Sequence, residues 1–206
     1  RITRGIVNAM NRYLYACLIS MLLTSFMFIS ACATTSDPVQ QEQAILEPAI
    51  IAVAKPGAKI PHGATFAWLP EAVNFYKDER LESTSIQYNI ESSIKKNLTD
   101  MGFKFSEQSS SAQYSIAYTA ALESSLDDTA ILRRFGLVPG NMRVPTDNPE
   151  FEKGTLIIYA LENNTGEVIW RSAVQAAVDF TLEMEQRKER IGPIVADMFR
   201  SLPVDK

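Results

Sequence analysis

From Leu14 to Ile29 the chain is almost wholly apolar, and at Ser30-Ala31-Cys32 this run breaks into the polar, turn-forming Ala33-Thr34-Thr35-Ser36-Asp37-Pro38. This break sets how much sequence is left to fold and in which compartment it folds. Arg1, Arg4 and Arg12 lie before the run, and no acid occurs in residues 1–31. Arg1 is not a translation start, and Met10 is the first residue able to serve as one. A positive start, an apolar middle and small residues before a cut form the plan of a secretory signal peptide. The run is also about as long as the shortest bilayer spans, roughly 17 residues, so length does not separate leader from anchor. The exit separates them. A retained anchor carries basic residues on its cytoplasmic flank, and here the flank is Ala-Thr-Thr-Ser-Asp-Pro.

Ile29-Ser30-Ala31-Cys32 resembles the lipobox of bacterial lipoproteins: an aliphatic residue, two small residues and a cysteine. The resemblance implies that Cys32 is diacylated, becomes the new N-terminus after cleavage and is acylated again. Three chains exceed the two signals that stable anchoring needs. Ala33 stands where an inner-membrane retention signal has Asp. The expectation is therefore a lipid anchor in the outer membrane, with the protein facing the periplasm.

Cleavage before Cys32 leaves 175 residues with 17 basic and 24 acidic side chains, a balance of −7. That length suits one domain with a tether. The acidic balance argues against nucleic acid as a partner. Cys17 leaves with the leader and Cys32 carries lipid, so no thiol remains to staple the fold. With no free cysteine and a single histidine, His62, a structural zinc site or a Cys-His or Ser-His nucleophile has few ways to be built. No cofactor or metal site is expected.

The chain divides into residues 1–31, the upstream residues and signal peptide; 32–61, a tether from the lipidated cysteine; and 62–206, a single α+β domain. Pro38, Pro48, Pro56 and Pro61 mark the tether, although its apolar stretch Ala49–Ala54 has the composition of a strand that could dock on the domain. The domain opens with a short strand at Ala64–Leu69 closed by Pro70. A helix follows, with Ile86, Ile90, Ile94, Leu98 and Met101 in a stripe about 120° wide, Thr84 and Gln87 placed as a capping box, Glu91 and Lys95 spaced as an ion pair, and Gly102 as its stop. Tyr114, Ile116 and Tyr118 alternate with Ser115, Ala117 and Thr119, the pattern of a half-buried strand. Gly154–Leu161 and Glu167–Val174 flank Asn163-Asn164-Thr165-Gly166, a hairpin signature. A second amphipathic helix carries Met184, Ile191, Val195, Met198 and Leu202, with Gly192-Pro193 expected to kink it. These elements predict a mostly antiparallel sheet with two main helices packed on one face, a two-layer α+β sandwich.

Three stretches carry a resemblance to the family catalogued as domain of unknown function 4136, found in bacterial envelope lipoproteins. Thr65–Pro70 is similar to its opening strand, Gly154–Ile158 through Gly166–Arg171 to its central hairpin, and Ile191–Pro203 to its closing helix. The resemblance implies a fold and an envelope location, and no reaction.

No nucleophile elbow, His-Glu-x-x-His helix, phosphate-binding loop or dinucleotide fingerprint occurs. The acids Asp127, Asp128, Glu183, Glu185 and Glu189 read as surface carboxylates, His62 as an exposed linker residue, and Glu183–Arg190 as a solvated helix face. The chain is not expected to be an enzyme. The segment from Glu123 to Glu152 is long for a connection in a compact domain. Within it Ile131, Leu132, Arg133, Arg134, Phe135 and Leu137 form an apolar and basic patch, the candidate surface for another envelope protein or an envelope lipid. The first reading is thus a non-enzymatic anchored protein that binds an envelope component through this patch. The second is a carrier holding a small lipid, glycan or other apolar ligand between sheet and helices. A filled core with an exposed apolar loop favours the first; an apolar cavity open to solvent favours the second.

Overall fold

The computed structural model describes residues 47–137, 144 and 148–205. The signal-peptide and lipidation expectations, Cys32 included, lie outside the described residues. Among the described residues are seven strands, β1 (Ala49–Ala54), β2 (Thr65–Trp68), β3 (Asn74–Phe75), β4 (Lys104–Ser106), β5 (Tyr114–Leu122), β6 (Phe151–Glu162) and β7 (Glu167–Asp179). The helices are α1 (Ser83–Asp100), α2 (Asp128–Phe135) and α3 (Met184–Phe199).

The sheet is built on the β6–β7 hairpin. Its turn closes at Gly166, whose φ of 71° lies in the left-handed region that disfavours side chains. The antiparallel ladder runs from Glu162 opposite Glu167 out to Phe151 opposite Asp179, longer at both ends than the sequence pattern implies. β5 adds antiparallel to β6, from Tyr114 opposite Glu162 to Leu122 opposite Gly154. β2 and β3 pair with β5 in parallel, and β4 pairs with β2 in parallel. The full order is β1-β7-β6-β5-β2-β4, with β3 also on β5, a mostly antiparallel open sheet of the expected α+β class.

The tether boundary at residue 61 moves. Ala49–Ala54 pairs with β7 along its whole length, from Ala49 opposite Gln175 to Ala54 opposite Trp170. Ile60 is fully buried and exchanges backbone hydrogen bonds with the C-terminal segment, its N–H donating to Pro203 and its carbonyl accepting from Asp205. The folded unit therefore includes residues 49–61. Six strand residues with apolar side chains gain both a ladder and a surface to pack on, which outweighs the proline-rich character of their flanks.

α1 and α3 pack together on one face of the sheet. Ile90, Ile94 and Leu98 are buried, as the stripe requires, and Gly102 ends the helix with φ 86°. The expected capping box at Thr84 does not form: Glu82 takes the cap position without a side-chain bond, and Gln87 donates to Glu91 instead. Nor does Glu91 meet Lys95. Its carboxylate accepts from the Tyr118 hydroxyl at 2.8 Å, while Lys95 reaches Glu107. Burial, and then the Glu91 carboxylate, push the Tyr118 phenol upward. α3 continues through Pro193 without interruption. At Gly192 a Cβ would lie 4.0 Å from Ser93 Oγ, so the small residues let the two helices approach closely. Beneath them Phe66, Ile116, Tyr118, Ile158, Trp170, Val195, Met198 and Phe199 form the main core.

The opposite face is also covered, which corrects the half-buried reading of β5. All nine of its residues are buried. α2 lies on this second face, where Ile131 and Leu137 pack with Ala121, Leu126, Ile157 and Ala173. The described sheet, both cores and the three described helices are contained in residues 47–205, so a chain of residues 39–206 carries every contact described here.

Candidate functional site

The apolar concavity between sheet and helices comes from a local shortage of bulk on the sheet. Leu122, Gly154 and Ala176 form one cross-strand row on the face beneath α1 and α3. Two of these three positions carry one side-chain carbon or none. Gly154 is held to that size by its neighbour, since a Cβ there would come within 2.7 Å of Val178 Cγ2. The next row, Ala120, Leu156 and Val174, supplies the rest of the floor. The walls are Ile86 and Ile90 of α1 and Ile191 and Ile194 of α3, and Phe75 and Leu81 stand at the rim. The result is an apolar cavity of about 160 Å³ between sheet and helices, open to solvent.

Asp179, Arg187 and Arg190 bring charge into this otherwise apolar lining. Arg187 lies in the first part of α3, and its Nε and Nη1 are fully buried with no hydrogen-bond acceptor among the described residues. The residue as a whole is half-buried. A buried donor without an acceptor forfeits its hydration and gains nothing in return. Other charged groups nearby are already partnered. Arg190 donates to the Ala177 carbonyl at 3.3 Å. Arg80, in the loop before α1, bonds Asp78 at 2.8 and 2.9 Å and Glu152 at 2.6 Å, and sits 4.5 Å over the Phe180 ring. The Arg80 hydrogen bonds hold Asp78 below the usual carboxylate range. Burial works against the charged Glu152, but bonds from Ser124 and Arg80 more than offset it. Asp179 accepts from the amide and hydroxyl of Thr181. The buried donors in this lining that lack an acceptor among the described residues therefore belong to Arg187.

The candidate patch on residues 131–137 has a different fate. Ile131 and Leu137 are buried, and Phe135 is half-buried beside Tyr159, with ring centroids 6.4 Å apart. Arg134 donates to the Tyr76 hydroxyl at 2.7 Å. Leu132, 50% exposed, and Arg133 face solvent. The domain itself thus covers most of the apolar surface that the sequence offered to a partner. Four of the five carboxylates singled out as surface acids have structural partners, and the fifth, Glu189, is exposed. Asp127 caps α2 through Ala130 N–H, Asp128 bonds Lys153 and Gln175, Glu183 forms a capping box with Gln186, and Glu185 meets Lys188. His62 is exposed.

Sequence reasoning missed Arg187 by assigning Glu183–Arg190 wholly to solvent. The signal was present in the spacing. Met184, Arg187, Ile191, Val195 and Met198 follow at three- and four-residue steps, so Arg187 occupies a position of the inward stripe.

A family model described as a domain of unknown function, DUF4136, matches residues 54–204. A search of curated proteins returns no match. Among solved structures, the chain is similar to a PelC dodecamer from Paraburkholderia phytofirmans, with 9% identity and a TM-score of 0.48 over 77% of this chain and 100% of that one. It is also similar to a DUF4136 family protein from Bacteroides thetaiotaomicron, with 14% identity and a TM-score of 0.46 over 76% of this chain and 96% of that one. With three-quarters of its length inside the family model and the sheet laid out as above, the chain belongs to the DUF4136 family.

Proposed function

We propose that this is a non-enzymatic, lipid-anchored protein of the bacterial outer membrane, facing the periplasm, whose domain carries a small apolar ligand between its sheet and helices. The observation that carries the ligand reading is the apolar cavity over the Leu122–Gly154–Ala176 row. Protein interiors are ordinarily close-packed, and an apolar pocket with a few convergent polar groups is the usual form of a small-molecule site. The anchoring reading rests on Ile29-Ser30-Ala31-Cys32 and on Ala33. The burial of Ile131 and Leu137 turns the choice from partner capture by residues 131–137 toward carriage of a ligand.

The test is binding of the neutral dye N-phenyl-1-naphthylamine to residues 39–206, read by fluorescence enhancement. Saturation at one dye per chain is expected, and Ala176→Leu, which fills the floor, should reduce affinity at least tenfold while leaving cooperative unfolding intact. Absence of saturable binding, or unchanged binding in the filled variant, sinks the carrier reading.

A further inference from the structure

We infer that the ligand is a single-chain amphiphile with an anionic head, its alkyl end in the cavity and its head on Arg187. This inference rests on the carrier reading and adds the chemical class of the ligand. Size sets the first limit. An engineered cavity of about 150 Å³ lined by Leu, Ile and Phe accepts benzene, so a volume of about 160 Å³ takes about six carbon atoms of a chain, and the rest of a longer ligand lies in the open mouth. The lining favours an alkyl chain over a sugar ring, because its floor and walls are mostly Leu122, Leu156, Val174, Ile90 and Ile191, and burying a ring's hydroxyls against them is costly.

Charge sets the second limit. Arg187 Nε and Nη1 are buried donors with no acceptor among the described residues, and a guanidinium remains charged. A neutral ligand leaves that charge desolvated, and a cation worsens it. A carboxylate or phosphate fits the planar fork of donors through two charge-assisted hydrogen bonds. Position sets the third. Arg187 precedes Ile191 by one helical turn on the lining stripe of α3, so a head on the guanidinium directs the chain along the helix over Ile191 and Ile194. The spacing suits an amphiphile with charge at one end and a flexible apolar tail at the other.

Carboxylate and phosphate share this chemistry, so the experiment separates them. Isothermal titration of residues 39–206 is carried out with decanoate, decyl phosphate and decanol, all below their aggregation concentrations. At least one anion should bind tenfold or more tighter than decanol. The tighter of the two names the head: decanoate for a free fatty acid, decyl phosphate for a phosphorylated lipid. Arg187→Met should erase that preference while leaving decanol affinity within about twofold. Equal affinity of the parent protein for decanol and both anions overturns the inference and leaves the carrier reading standing, and so does a preference that survives Arg187→Met. Failure of all three ligands, together with failure of the neutral dye, overturns the carrier reading itself. The comparison within the parent protein decides the matter even where the variant folds poorly.

Discussion

Lys153 Nζ lies 2.8 Å from Asp128 Oδ2 and 2.8 Å from Glu123 Oε1, so one buried ammonium on β6 holds both the first residue of α2 and the residue just past β5. Gln175 of β7 donates to the other oxygen of Asp128 at 2.7 Å. The second face of the sheet is thereby closed by a short helix with a polar anchor at its start and Ile131 and Leu137 behind it.

Replacing Lys153 with Met should cost on the order of 1–2 kcal/mol, between the values for exposed and buried pairs, because the ammonium is buried while both carboxylates are about half exposed. The pH dependence gives a sharper check. Burial opposes the charged form of both groups, but their mutual hydrogen bonds hold Asp128 below its ordinary value and Lys153 above its own. Asp128 thus contributes stability above about pH 3.9 that is lost as pH falls through its folded pKa, and Lys153 contributes stability below about pH 10.4 that is lost as pH rises through its own. Urea titrations of parent and variant should differ most between those limits and converge outside them. A difference that is constant from pH 2 to 12 would show that the anchor acts by packing alone.

The two faces of α1 are not core and solvent, as its stripe alone suggests. Ile94→Ala should cost roughly 2–5 kcal/mol, since the side chain is fully buried. Ser93 looks toward Gly192 of α3, so Ser93→Ala should stay within about 0.5 kcal/mol, while Ser93→Leu should cost about 1–3 kcal/mol through overpacking. Equal tolerance of Ala and Leu at position 93, measured by denaturant midpoints, would show that the helices do not meet there.

What the sequence made legible was local and periodic. The Ile86–Met101 stripe and the closing amphipathic helix each bury a face set by their own spacing, and the exposed Asn163–Gly166 turn joins β6 and β7 where its residue types put it. What stayed hidden depended on contacts far apart in the chain. The Tyr114–Thr119 alternation reads as one wet face, yet Ser115 is buried because Asn163, 48 residues away, accepts its hydroxyl. Gln175 is buried because Asp128 arrives over it. A ligand space between sheet and helices was one of two readings, but its lining stayed hidden because the floor is a row across three strands, and only the register puts Leu122, Gly154 and Ala176 side by side.

The position of α2 makes a specific demand on the segment from Glu123 to Glu152. Ile131→Ala should destabilise the domain by about 2–5 kcal/mol, and Leu132→Ala, one residue on but half exposed, by no more than about 0.5 kcal/mol. Deleting residues 128–148 and bridging with a Gly-Ser loop should expose Ala121, Ile157 and Ala173 and lower the thermal midpoint, with increased binding of a hydrophobic dye. A deletion variant that unfolds at the parental temperature would show that the second face stands without its cover.

The anchoring proposal is tested apart from the ligand. Changing Cys32 to Ser should leave an uncleaved precursor that takes up no acyl label in cells, because the thiol is the acceptor of the first lipid. Labelled palmitate and a gel shift read the outcome. Labelling and cleavage equal to the parent would sink the lipoprotein reading. Recovery of the parent protein with the inner membrane would remove the outer-membrane part of it alone.

Arg187 offers a test that needs no ligand. A guanidinium with two buried, unpaired donors is held against its own desolvation, and such a group is replaced by an apolar side chain of similar length at no cost or at a gain of about 1–4 kcal/mol. Arg187→Met should therefore raise the denaturant midpoint of residues 39–206, whereas Arg190→Met, which removes a donor to the Ala177 carbonyl, should lower or leave it. A residue whose removal stabilises the fold is retained for something other than folding. If Arg187→Met instead destabilises the domain as strongly as Ile94→Ala, the guanidinium is a structural part of the wall, and its unpaired donors lose their meaning as a ligand site.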